Sequence, residues 1–212
     1  MAVIDFQQTV RSPVQAYQEG LNFFMGQGVL NNVLQRLLLA LDKIEVDYNI
    51  IGAVALNQHG YKQFTEDINL LLTKAGLEKF HEELIRVGCR PKFEGARKQF
   101  RTTAENVTVE IITTGEYPGD GRPKSVSFPD PKDSVEIIEG LKTISLEKLI
   151  ELKLASGMTA PHRLKDLADV QELIKVRNLS ADFAAKLDPS VRERFIELQS
   201  PVEEARDLEQ FW

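Results

Sequence analysis

Asn49-Ile50-Ile51-Gly52-Ala53-Val54-Ala55-Leu56-Asn57-Gln58-His59-Gly60-Tyr61, followed by Thr65-Glu66-Asp67-Ile68-Asn69-Leu70-Leu71, is the stretch whose reading decides the fold. Asp47 to Ile51 reads as a short buried strand that feeds a glycine turn. Gly52 to His59 reads as a helix, with Gly60 placed to cap it in a left-handed conformation. A second strand, Ile68–Thr73, is introduced by acid, apolar and amide residues in alternation. The period of two sends Asp67 and Asn69 to one face. The glycine turn meanwhile presents a helix N-terminus, where backbone N–H groups favour an anion.

Outward from this core, Leu30, Val33, Leu34, Leu37, Leu38 and Leu41 recur at helical spacing and mark an amphipathic helix whose stripe is core. Leu77, Phe80, Leu84 and Val87 mark another, ending at Gly88. Arg90–Phe93, Lys98–Thr103 and Val107–Thr113 read as strands, the last two joined by a short turn. Residues 115–133 carry Pro118, Gly119, Gly121, Pro123, Pro129 and Pro131 among their breakers, and read as a long irregular loop. Val135–Ile138 and Leu141–Ile144 follow as a strand and a short apolar run. After Ser145 the pattern is helical: about 146–156, 162–176, 180–186 and 189–198. Residues 1–20, broken at Ser12-Pro13, give no firm element. The expected fold class is α/β, a small mixed sheet flanked by helices, with residues 1–145 as the α/β domain and 146–212 as a helical subdomain packed on it.

The chain has 212 residues, 42% hydrophobic and 27% charged, which suits a globular protein with a sizeable core. A net charge of −6 argues against a dominant nucleic-acid or membrane-binding surface. The lone Cys89 has no internal disulfide partner, which fits a reducing compartment. No apolar run approaches membrane-spanning length, and the first residues lack a signal-peptide pattern. The expectation is a soluble, cytoplasmic protein.

The chemistry centres on Asp67. A hard cation such as Mg2+ takes oxygen ligands, usually one or two carboxylates with phosphate oxygens and water. Asn69 can add an amide carbonyl but no charge. Glu110, inside the apolar strand 107–113, is costly there without a partner and could meet Asp67 if their strands pair. The plainer reading makes Asp67 a turn cap and Glu110 a solvent-facing acid. Likewise Gly52-Ala53 is either a tight turn or a set of backbone N–H groups for phosphate. On the later helix, Lys165, Asp169 and Glu172 fall on one side by helical periodicity, opposite Leu164, Leu167, Ala168 and Ile174. Alone this describes a solvated face. His59 is placed to meet helix-end carbonyls, His81 beside an apolar stripe reads as structural, His162 starts a helix, no histidine pair has metal-ligand spacing, and Arg97, Lys98 and Arg101 form a basic cluster leading toward Glu110.

Ile51-Gly52-Ala53 followed by Asp67-Ile68-Asn69 resembles the signature of the polymerase-beta-type nucleotidyltransferase superfamily. Ala55-Leu56-Asn57-Gln58-His59-Gly60 resembles its small bacterial branch, which includes abortive-infection-type toxins and minimal nucleotidyltransferases. A second match lies at His162-Arg163-Leu164-Lys165-Asp166-Leu167-Ala168-Asp169-Val170, preceded by Leu146–Lys153, so the resemblance covers roughly residues 45–176. It implies that Gly52 and Ala53 contact nucleotide phosphate, and that Asp67, Asn69 and Glu110 occupy the three metal positions for Mg2+ or Mn2+. It further implies that Lys165 contacts phosphate with Asp166 or Asp169 orienting it. Asn69 departs from the family's second carboxylate, Ala53 from Gly or Ser, and Glu110 from the usual Asp. The implied activity is transfer of a nucleoside monophosphate from a nucleoside triphosphate to a hydroxyl acceptor (small molecule, tRNA or protein). An antitoxin-like partner belongs to the same resemblance. The rival expectation is a catalytically inactive nucleotide-sensing or protein-binding module, suggested by Asn69 and Ala53.

Overall fold

β1 (Tyr48–Ile51) is buried along its whole length and sits inside the sheet of the computed structural model, which describes residues 5–85 and 87–209. It pairs antiparallel with β2 (Asp67–Leu72) on one side and parallel with β7 (Leu141–Ile144) on the other. β2 in turn pairs parallel with β5 (Thr108–Thr113), in register Asn69 to Glu110. Beyond these lie β4 (Gln99–Thr102), β3 (Cys89–Pro91) and, at the far edge, β6 (Val135–Ile138). The result is a mixed seven-stranded sheet in the order β3-β4-β5-β2-β1-β7-β6. The fold class is α/β.

Strand alternation splits the central strands into two faces. Ile68, Leu70, Leu72, Val109, Ile111 and Phe100 share one face and are fully buried or nearly so. Helices α3 (Gly28–Lys43) and α5 (Lys74–Leu84) cover it. The leucine stripe of α3 is buried as its spacing predicts. The Phe80 ring of α5 lies 4.9 Å from that of Phe100, and α5 starts where the Thr73 hydroxyl accepts from the Gly76 N–H at 2.9 Å. The opposite face carries Ile51, Asp67, Asn69, Glu110 and Ile112. Over it lie α6 (Leu146–Thr159) and α7 (Leu164–Arg177), with the 115–133 loop between.

Four elements differ from the sequence expectation. α1 (Phe6–Thr9) and α2 (Pro13–Phe24) lie where residues 1–20 gave no firm element; residues 1–4 are outside the described range. Pro13 is the first residue of α2, a position where its missing N–H costs nothing, so the apparent break is a helix start. Residues 181–186 form 3-10 turns, and α8 (Arg192–Glu209) runs through Pro201 instead of stopping near 198. The 115–133 segment is irregular as expected, apart from a 3-10 turn at Pro131–Asp133. No helix among the described residues is long and apolar enough to cross a membrane.

Candidate functional site

Gly52, Asp67, Asn69 and Glu110 all line one cleft of about 410 Å3. The register accounts for their meeting: Ile51 lies opposite Asn69 on β1, and Glu110 lies opposite Asn69 on β5. Asp67, two residues before Asn69, shares its face. The turn after β1 therefore reaches the same spot as the polar tips of two strands.

Gly52 is held at φ +66°, and a Cβ there would sit 3.1 Å from both Cβ and Nδ2 of Asn69. Glycine is required on two counts, the left-handed backbone and the close approach. Gly52→Ala is expected to lower stability by about 1–3 kcal/mol, read from the urea midpoint, because a strained φ and a displaced Asn69 add together.

Each acid is held by a neutral partner. Asp67 Oδ1 accepts from the Thr65 hydroxyl at 2.6 Å, and Glu110 Oε1 accepts from Gln99 Nε2 at 3.0 Å. Among the described residues neither carboxylate has a cationic partner, and Oδ2 of Asp67 and Oε2 of Glu110 keep no protein hydrogen bond. The other acids of the cleft are compensated. Glu116 pairs with Lys98 and accepts from the Thr113 hydroxyl at 2.6 Å. Burial, with Lys74 nearby, pushes the Lys98 ammonium below its usual range. Asp166 pairs with Lys153 at 3.0 Å. The unbalanced negative charge is thus confined to Asp67 and Glu110.

The far wall is α6 and the start of α7. Lys153 Nζ donates to Asp166 at 3.0 Å and to Asp169 at 2.7 Å, the Ser156 hydroxyl donates to Asp166 at 2.6 Å, and Arg163 Nε lies 3.0 Å from the same carboxylate. Burial works to raise the Asp166 carboxyl, but Lys153, Ser156 and Arg163 together hold it below its ordinary range. α7 can press this close because Gly157 faces Leu167: a Cβ at 157 would fall 2.5 Å from Leu167 Cγ.

Not all of the expected residues reach the cleft. Ala53 is half-buried beside it, with its carbonyl accepting from Asn57 Nδ2 at 2.8 Å. Asp169 is only 3% exposed and lies under the lining, bound to Lys153. Lys165 is exposed and outside the lining, and Leu164, expected on the inner side, is 67% exposed. The cations that line the cleft are Arg163 and Lys153, the latter thirteen residues from Asp166 in sequence and on another helix. A helical wheel sorts one helix by hydrophobicity; it does not see that a lysine on a neighbour makes Asp166 and Asp169 the inner face. The Leu146–Lys153 run contained the signal, since it preceded the second motif, but nothing in its spacing singled out Lys153.

Elsewhere, His59 is buried, its Nε2–H donates to the Ile144 carbonyl at 2.8 Å, and burial pulls its pKa down. Cys89 is buried, with its thiol pushed up to about 11. Neither touches the cleft.

No family model matches the chain, and no curated protein matches it. Solved structures do. ANT(2'')-Ia in complex with adenylyl-2''-tobramycin is similar over 82% of this chain and 97% of its own, at 14% identity and a TM-score of 0.49. A Thermotoga maritima protein provisionally assigned as a nucleotidyltransferase is similar over 66% and 93%, at 17% identity and a TM-score of 0.47. One from H. pylori with the same provisional assignment is similar over 86% and 97%, at 19% identity and a TM-score of 0.45.

The lining can be tested against a divalent cation on its own donor set. Among the described residues there is no group of three or more His, Cys, Asp or Glu side chains arranged for a metal. The set at hand is two carboxylates and one amide. That fits Mg2+ or Mn2+, which need one or two carboxylates when phosphate and water supply the rest.

Proposed function

We propose that the cleft binds a nucleoside triphosphate with Mg2+ or Mn2+ and transfers the nucleoside monophosphate to a hydroxyl acceptor, releasing pyrophosphate. One observation carries this reading: Asp67 and Glu110, uncompensated by any cation among the described residues, sit beside Asn69 and the Gly52 turn in a single cleft. A bare triphosphate would be repelled from that corner, and a cation with triphosphate would be drawn to it.

Asp67, Asn69 and Glu110 would hold the cation, which when bound supplies charge neutralisation and polarisation of the phosphate oxygens. Gly52, with no side chain, lets the turn approach the phosphates. Lys153, held by Asp166 and Asp169, takes the phosphate-countering role expected of Lys165. In the transfer the acceptor oxygen bonds to the α-phosphorus as the bond from that phosphorus to the bridging oxygen breaks. Pyrophosphate departs with the bridging oxygen. Glu110 accepts the proton released by the acceptor hydroxyl. On this reading residues 1–145 supply the metal corner and 146–212 the opposing helical wall.

Calorimetry with ATP, with and without Mg2+, tests the binding half. Asn69→Asp adds the missing carboxylate and is expected to tighten Mg2+-dependent ATP binding and raise transfer roughly tenfold. No gain in either property would count against the metal assignment. Binding that ignores Mg2+ and yields no pyrophosphate would leave a nucleotide-binding module without chemistry.

A further inference from the structure

α2 packs on the fold through one side and, among the described residues, leaves a second apolar side exposed. Gly20 and Phe23 are its buried residues, and the Phe23 ring stands edge-on to Phe64 at 6.0 Å. The helix is also pinned at its end: Asn31 Nδ2 donates to the Phe23 carbonyl at 2.9 Å and to the Gln27 carbonyl at 2.8 Å. Val14, Tyr17, Leu21 and Phe24 follow one another at spacings of three, four and three residues, so they form a line along the helix. All four are exposed, from 41% at Leu21 to 78% at Val14, and Met25 extends the line.

These five side chains leave roughly 500 Å2 of mainly apolar surface in water, toward the upper end of the largest patches on monomeric proteins. The stripe carries no charge. Glu19 is the single charged residue of α2, and its Oε2 accepts from the Val29 N–H at 3.3 Å, on the other side of the helix. A helix that lies on lipid carries Lys and Arg on its polar face, and α2 has neither. Another protein surface is the fitting cover.

We propose that α2 is a dimerisation face, on which a second copy of this chain lays its own α2 antiparallel about a two-fold axis. The stripe is self-complementary in that arrangement. Its slender end at Val14 meets the bulky end at Phe24 of the second copy, and Tyr17 meets Leu21, each contact occurring twice. The Phe24 ring is already held edge-on by Phe23 at 5.5 Å, so it enters the contact as a fixed anchor. Charge agrees with the same direction. The last turn of α2 has no basic residue, and an antiparallel neighbour brings its exposed Arg11, just ahead of the Ser12 N-cap, to that carbonyl end. Two stripes together cover roughly 1,000 Å2 before any flanking residue is counted, which reaches the size of a specific interface. Pairing of this kind needs no nucleotide and stands apart from the chemistry of the cleft.

Sedimentation velocity of the full chain without nucleotide, between about 1 and 100 µM, tests it. The wild type is expected to pass from monomer to dimer within that range. Tyr17→Arg and Leu21→Glu should each weaken the dimer by about tenfold or more. Both should keep the wild-type urea midpoint at concentrations where the wild type is monomeric. An equimolar mixture of the two variants should recover about tenfold, because position 17 of one copy faces position 21 of the other. A wild type that stays monomeric at about 100 µM overturns the proposal. So does a dimer that Tyr17→Arg leaves intact, or a mixture no tighter than its components. A monomer that floats with phosphatidylcholine vesicles overturns it too and gives the stripe to lipid. Tyr17 is 70% exposed, so Tyr17→Arg decides the matter alone if Leu21→Glu fails to fold.

Discussion

Asp67→Asn is expected to reduce Mg2+-dependent nucleotidyl transfer by about a hundredfold or more while leaving the fold intact. The substitution is nearly isosteric, and an amide oxygen can still accept the Thr65 hydroxyl that now binds Asp67 Oδ1 at 2.6 Å. What disappears is charge. Asn69 already supplies an amide where a carboxylate would serve, so after the change Glu110 is the remaining acid at the corner. An anionic triphosphate with its cation then meets one carboxylate and two amides. Pyrophosphate release measured against urea stability separates the two effects. Equal loss of both would make Asp67 a structural turn residue, the plainer reading of the sequence.

Lys153→Met should destabilise the protein by about 3–5 kcal/mol at pH 7, because it strands buried carboxylates. Asp166 and Asp169 side chains are 13% and 4% exposed and share this one ammonium. The methionine preserves the aliphatic stem, so the loss reports charge and not volume. The dependence on pH has a definite sign. In the wild type the lowered Asp166 carboxyl contributes stability above its unfolded value near 3.8, and that contribution fades as the pH drops through its folded value. In the variant Asp166 loses the lysine, burial is opposed only by Ser156 and Arg163, and its folded carboxyl moves up from the wild-type position. The penalty is then largest at neutral pH and shrinks as Asp166 takes up its proton. Denaturation at pH 7 and pH 4.5 checks this; a penalty independent of pH would mean that Lys153 matters through packing.

The corner at Asp67 was legible because its grammar is local. Period-two alternation puts Asp67 with Asn69, and a glycine after an apolar run announces a turn. Glu110, forty-one residues downstream of Asn69, was reachable because an acid inside Thr108–Thr113 has few cheap destinations. The opposite wall was not legible in the same way. Asp169 is buried because of a lysine on another helix, and its own helix read alone puts it outside. The 115–133 loop shows only breakers in sequence, yet Gly115 and Phe128 bond to each other across it. Pairings of that kind leave no periodic trace. At Pro13 the ambiguity was one of position, since proline ends one helix as readily as it begins another.

Gly157 carries a consequence for how the two walls are spaced. A methyl group at this place would overlap Leu167, so α6 and α7 would have to part. Lys153 and the acids it grips ride on those helices, and they form the side of the cleft facing Asp67. The gap a ligand must span is therefore gauged by a lone hydrogen atom, and widening it would loosen electrostatics and reach together.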